Sequence, residues 1–261
     1  SVIVIPSEVS IAPVTDGPLT VNANGNVDVA AGTAAGSYTI TYSLCEILNP
    51  SNCNDGTVTV VVTAAPLVVL DDDYSNAPIN GYDGGIAGNV IMNDDFNGSD
   101  ASLTDLNLTV TNTTPIVVSA AGEVSVPAGT AAGTYTATYE LCDKLNPKNS
   151  ANENCGTGTI TVVVSAAPLV VVDDDFSSTP INGYDGGIAG NIITNDDFNG
   201  SDASLTDLNL TVTNTTPIVV SATGEVSVPA GTAAGIYTAT YELCDKLNPK
   251  NSANENCATG T

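Results

Sequence analysis

The chain has 261 residues, of which 42% are hydrophobic, and sets 29 Asp and Glu against four Lys, with no Arg and no His, for a formal net charge of −25. That balance excludes nucleic acid and anionic membrane surfaces, which bind through Lys and Arg. Without His no Ser–His–Asp or Cys–His pair can be built, and no stretch of about 18 apolar residues is present to cross a bilayer.

The length predicts two to three domains, each large enough to bury its own core. Val and Thr dominate the periodic segments and Gly and Pro punctuate them, which favours strands over helices. Residues 67–159 return as 169–261 at an offset of 102, with 84 of 93 positions identical after nine mild differences are subtracted. A unit of about 100 residues is a whole domain, since solenoid repeats run to roughly 20–50. Residues 1–65 hold a diverged copy. Its AlaGlyThrAlaAlaGly at 31–36 matches 128–133, and its TyrSerLeuCys at 42–45 matches TyrGluLeuCys at 139–142. It has no counterpart of the Asp71–Asp95 half. We therefore expect three units: 1–65, the C-terminal part of a module; 66–167, a complete module; and 168–261, a module lacking its last strand. The expected context is an excerpt of a longer array. The alternative is a whole subunit that exchanges strands with its neighbours in a polymerised fibre.

In the second module, alternation predicts strands at Leu106–Val110, Val117–Ser119, Glu123–Val126, Thr134–Leu141 and Thr157–Val164, with a turn at Ala121–Gly122. Tyr135, Ala137, Tyr139 and Leu141 share one face of the fourth strand. Short strands at this spacing predict an all-β fold of tandem Ig-like Greek-key β-sandwich modules in a linear array. AlaAlaProLeuVal at 64–68 and 166–170 marks the junctions, and Pro66 and Pro168 restrict the hinge.

Six Cys fall as three local pairs, Cys45/Cys53, Cys142/Cys155 and Cys244/Cys257. One pair per module predicts disulfides formed in an oxidising compartment; zinc would need four ligands, and neither His nor a CxxC is present. Each bond closes a short loop and contributes roughly 2–3 kcal/mol by loop-closure entropy. The loop from Cys142 to Cys155 is too polar for a core and reads as a surface loop, decoration more readily than a contact surface.

The acidic residues cluster. Asp71, Asp72 and Asp73 follow the junction, Asp83 lies in AsnGlyTyrAspGlyGly, and Asn93, Asp94 and Asp95 open a stretch ending at Asp100. The third module repeats the set with Asp174, Asp175, Asp185, Asn195, Asp196 and Asp197. Adjacent carboxylates repel unless a cation stands between them, and Ca²⁺ takes six to eight hard oxygens from flexible loops. The competing reading is that Asp, Asn and Gly are turn formers whose side chains cap their own backbone. Asp95–Asp100 echoes half an EF-hand loop but has neither the closing Glu nor the helices.

On these residues the chain resembles the tandem Ig-like repeats of giant Bacteroidota cell-surface adhesins, such as the SprB-like gliding-motility adhesins exported by type IX secretion. The resemblance lies in AspAspAsp-Tyr/Phe at 71–74 and 173–176, GlyAsnValIleMetAsnAspAsp at 88–95 and its copy at 190–197, and GluValSerValProAlaGlyThrAlaAlaGlyThrTyr at 123–135. It continues in TyrGluLeuCysAspLysLeuAsnPro at 139–147, paired with TyrSerLeuCysGluIleLeuAsnPro at 42–50. It implies an extracellular stalk or filament at the cell surface, used for attachment or for transmitting force. It also implies Ca²⁺ ligands at Asp72, Asp73, Asn93, Asp94 and Asp95 and their copies. Neighbouring modules of the same chain are the expected partners, followed by other filament chains or a surface ligand bound elsewhere in the protein. No enzyme is expected, because an identical acidic set recurring in consecutive modules suits structure better than catalysis. A ligand-binding adhesin head is the further alternative, disfavoured by the near-identity of the modules.

Overall fold

The computed structural model describes residues 5–111, 113–213 and 215–261; the first four residues of the expected first module lie outside them. Apart from a short 3-10 turn at Pro6–Glu8, every element among the described residues is a strand. By proximity the chain falls into two compact units. One comprises Ser1–Asp71, Ile91–Val110 and Thr138–Gly158, the other Asp72–Val90, Thr111–Ala137 and Thr159–Thr261. The division passes through the second repeat, so a unit is not a repeat.

In the first unit, residues of the first repeat form two antiparallel sheets. Val9–Ile11, Gly36–Glu46 and Cys53–Val62 make one, and Val14–Asp16, Leu19–Val21 and Val27–Val29 the other. The long hairpin keeps register from Gly36↔Val62 to Cys45↔Cys53, so alternate residues of Gly36–Glu46 turn inward. Leu19, Val21 and Ile40 are fully buried between the sheets, ringed by Tyr38, Tyr42, Val58 and Val60. Burying each such side chain contributes roughly 1.5–3 kcal/mol, and this is the inter-sheet packing of a β-sandwich.

In the second unit, the third repeat repeats the plan. Leu208–Thr213, Thr240–Asp245 and Cys257–Gly260 form one sheet, and Gly187–Asn191, Glu225–Val228 and Val219–Val220 another. Leu208, Tyr241 and Leu243 from the first meet Val226 from the second, with Ile192 and Phe198, in one buried cluster. A third small sheet sets Leu169–Val170 against Asp197–Phe198, which pairs with Ser201–Asp202. The second repeat's residues within this unit set Gly85–Asn89, Glu123–Val126 and Val117–Val118 in an antiparallel sheet.

The expected strands are present and the alternation on Gly133–Asp143 holds, with Ala137, Tyr139 and Leu141 buried. Two readings differ. Asp72–Asp73 is strand and pairs in parallel with Ile160 and Thr161. The half EF-hand echo at Asp95–Asp100 is a two-residue hairpin, with Phe96↔Ser99 closed by Asn97 and Gly98 at φ 55° and 75°. Asn-Gly with both residues left-handed is the type I′ turn that matches strand twist, so the acidic spacing there answers to hairpin geometry.

Candidate functional site

The third repeat gathers its acidic residues around Tyr241. This tyrosine is 2% exposed. Its hydroxyl lies 3.2 Å from the Val172 carbonyl and 3.1 Å from Asp174 Oδ2. It is also 3.4 and 3.3 Å from the two oxygens of Asp196. One phenolic proton cannot serve four acceptors. Asp196 is anchored by the Val172 N–H at 2.8 Å, and the Asn195 amide donates to the carbonyls of Val172 and Asp173. Burial pushes the Asp174 carboxyl up to about 6; the Tyr241 hydrogen bond opposes this, and repulsion from Asp196 and Asp173 adds to it. Asp196 is also raised, first by burial. Tyr241 is pushed above the usual phenol range by burial and then by the two carboxylates.

The second repeat places Asp94 in the same way. It accepts from the Leu70 N–H at 2.8 Å and from the Tyr139 hydroxyl, which also lies 2.8 Å from the Leu70 carbonyl. Burial raises it as well, and the Asn93 amide donates to the Asp71 carbonyl. Asp72 is buried and accepts from Tyr74 at 3.1 Å. The remaining candidates hold other positions. Asp73 and Asp175 cap the N–H groups of Ser75 and Ser177. Their carboxyls are held below the usual range by the serine side chains and then by those N–H groups. Asp83 and Asp185 accept from Asn80 and Asn182, and Asp95 and Asp197 are exposed on the hairpins.

Two carboxylates, a carbonyl and a phenol converging at Tyr241 are hard oxygens, the donor type that Ca²⁺ takes. Six to eight donors are needed, so an ion there would complete its shell from other oxygens. Glu140, Cys142 and Cys155 also bring three potential ligand atoms within 4.8 Å of one another. Both sulfurs are in a disulfide and Glu140 pairs with Lys148 at 2.7 Å, so that group is not a metal centre.

All three expected disulfides form, at Cys45–Cys53, Cys142–Cys155 and Cys244–Cys257, and no described cysteine is free. The two longer loops, Cys142–Cys155 and Cys244–Cys257, are not decoration. Asn146 is 3% exposed and accepts from the Ala35 N–H at 2.7 Å, while its own amide donates to Asp143 at 2.6 Å. Asn152 donates to the Ala35 carbonyl and Asn154 to that of Ala65. In the second unit the same set recurs: Asn248 accepts from the Ala132 N–H at 2.7 Å, Asn254 donates to Ala132 O and Asn256 to Ala167 O. Each of these two loops thus grips the AlaAlaGly turn of the preceding repeat, and each such bond contributes about 1 kcal/mol net. Between the second and third repeats the hairpin adds a contact. Asn80 donates to Asn199 Oδ1 at 2.7 Å, Asn199 donates to Asp83 at 2.9 Å, and Tyr82 meets Phe198 edge-on at 5.2 Å. Repulsion from Asp207, then burial, raises the Tyr82 hydroxyl. Sequence reasoning missed these Asn; the available signal was a polar loop fixed by a disulfide yet rich in Asn, which serves as both donor and acceptor.

No protein-family model matches the chain, and no curated protein matches it. Among solved structures it is similar to mouse protocadherin-24 EC1-3, at 14% identity and a TM-score of 0.32, covering 99% of this chain and 90% of that one. Mouse cadherin-23 EC22-24 gives 13% identity and a TM-score of 0.30, covering 97% and 83%. BT4661, a SusE-like surface located polysaccharide binding protein from Bacteroides thetaiotaomicron, gives 10% identity and a TM-score of 0.26, covering 97% and 56%. Similarities this weak carry no argument about function.

Proposed function

We propose that the chain is a structural repeat segment of an extracellular bacterial surface adhesin, a spacer in a stalk or filament used in attachment or gliding motility and exported by type IX secretion. The observation that carries the spacer reading is the contact made twice over: Asn146 on Ala35 and Asn248 on Ala132, each through a disulfide-closed loop. A spacer must resist bending where one domain meets the next, and a repeated, saturated set of backbone hydrogen bonds does so. Val172, Asp174 and Asp196 are the groups around which Ca²⁺ would add stiffness, by neutralising carboxylates that burial and repulsion disfavour as charged species. The role is mechanical and not catalytic. Nitrogen-15 relaxation of the full chain tests it. The second and third repeats should share one rotational correlation time, and Asn248→Ala combined with Asn199→Ala should separate them. Independent tumbling in the unsubstituted chain would sink the spacer reading.

A further inference from the structure

We infer that Asn182, Tyr184, Asp185 and the backbone of Ala234 form a docking surface for another repeat of this same type. The inference deepens the spacer reading and rests on it. Residues 79–85 and 181–187 are the same seven residues, IleAsnGlyTyrAspGlyGly, and 128–133 and 230–235 the same six. On the second repeat this face is covered. Asn80 and Asp83 hold Asn199, Tyr82 lies against Phe198, and Ala132 is gripped on both its N–H and its carbonyl. On the third repeat the identical groups face solvent. Tyr184 is 84% exposed where Tyr82 is half-buried, Ala234 is exposed where Ala132 is half-buried, and among the described residues the Asn182 amide turns to its own Asp185 at 2.6 Å.

Complementarity follows from identity, so the occupant's chemistry can be specified. It presents an aromatic residue followed by an Asn in the left-handed region, as Phe198 and Asn199 do at φ 52°. It also presents a disulfide-closed loop whose Asn is oriented by an Asp at the loop base, as Asn248 is by Asp245 at 2.7 Å. The Asn amide and carbonyl together satisfy a turn's N–H and C=O, which a bulk-exposed turn otherwise leaves to water. A flat apolar partner would satisfy neither.

The test extends the full chain after Thr261 with a further copy of residues 160–261, and compares it with a chain extended by residues 160–167 alone. The control completes the final strand without supplying a repeat. Amide hydrogen exchange at Ala234 should slow about tenfold in the longer chain only, reaching the rate at Ala132, and Tyr184 should lose solvent exposure. Asn248→Ala in the added copy should restore fast exchange at Ala234 while leaving Ala132 protected. Equal exchange at Ala234 in both extended chains, with Ala132 still protected, would overturn the inference and spare the spacer reading. Fast exchange at Ala132 as well would overturn both. Protection of Ala234 in the unextended chain that grows with its concentration would put a second whole chain on this face and overturn the assigned occupant.

Discussion

Tyr241 has one proton to offer and stands before the Val172 carbonyl and two carboxylates, and burial at this point weighs on Asp174 more than its hydrogen bond to Tyr241 relieves it. Its folded pKa of about 6 lies above the ordinary 3.8, so the folded chain binds this proton more tightly than the unfolded chain. The associated stability is fully present below pH about 4 and is lost as pH rises to about 6. In chelator, the melting temperature should therefore fall between pH 5 and pH 7, and Asp174→Asn should flatten that fall. The global repulsion of a chain at −25 also relaxes in acid. The informative quantity is accordingly the difference between the two melting curves across pH, and a difference that does not change with pH refutes the assignment. Asp196 plays another part, because its carboxylate serves the Val172 N–H as well as Tyr241. Asp196→Ala leaves the Val172 N–H without its acceptor and takes one of several acceptors from Tyr241, and should cost roughly 1–3 kcal/mol by denaturant titration, several times the effect of Asp197→Ala on the exposed hairpin.

The disulfide loop joins a covalent staple to a contact with the neighbouring repeat. Cys142→Ser with Cys155→Ser should cost roughly 2–3 kcal/mol of stability through loop closure. It should also release Asn146, so that exchange at the Ala35 amide rises more than exchange within Leu19–Val21. If both rise equally, the loop stabilises the fold without acting as a clamp. Its pairing was legible in the Cys spacing, as the strands were in the alternation of Tyr135, Ala137, Tyr139 and Leu141. The contact was not legible. A polar loop looks the same in sequence whether it faces water or a backbone turn, and the buried Asn146 meets the Ala35 N–H of the repeat before it. The acidic clusters were half legible. Their spacing announced carboxylates in turns, but in the third repeat it did not separate Asp174 and Asp196, which share Tyr241, from Asp175, which caps Ser177. Asn97-Gly98 carried a hairpin signal that the neighbouring Asp residues obscured.

For the whole chain the governing quantity is a charge of −25 with only four cations to offset it. Lys148 and Lys250 are committed to Glu140 and Glu242, and Lys144 and Lys246 to backbone carbonyls of the turns before them. Folding concentrates this excess, and monovalent salt screens it over about 10 Å at 0.1 M. Two kinds of cation effect should therefore be separable. Screening acts on all exposed carboxylates, so NaCl and Mg²⁺ at matched ionic strength should raise the melting temperature gradually and alike. Site binding acts on the few buried and half-buried carboxylates, so Ca²⁺ should add a saturable rise at millimolar concentration to the unfolding of the third repeat, which Asp174→Asn together with Asp196→Asn removes. If Ca²⁺ and Mg²⁺ act identically, or the double variant responds like the parent, the acidic clusters are solvated turns. The stiffness of the chain would then rest on the Asn clamps and the disulfides alone, with Pro66 and Pro168 limiting what the junctions can do.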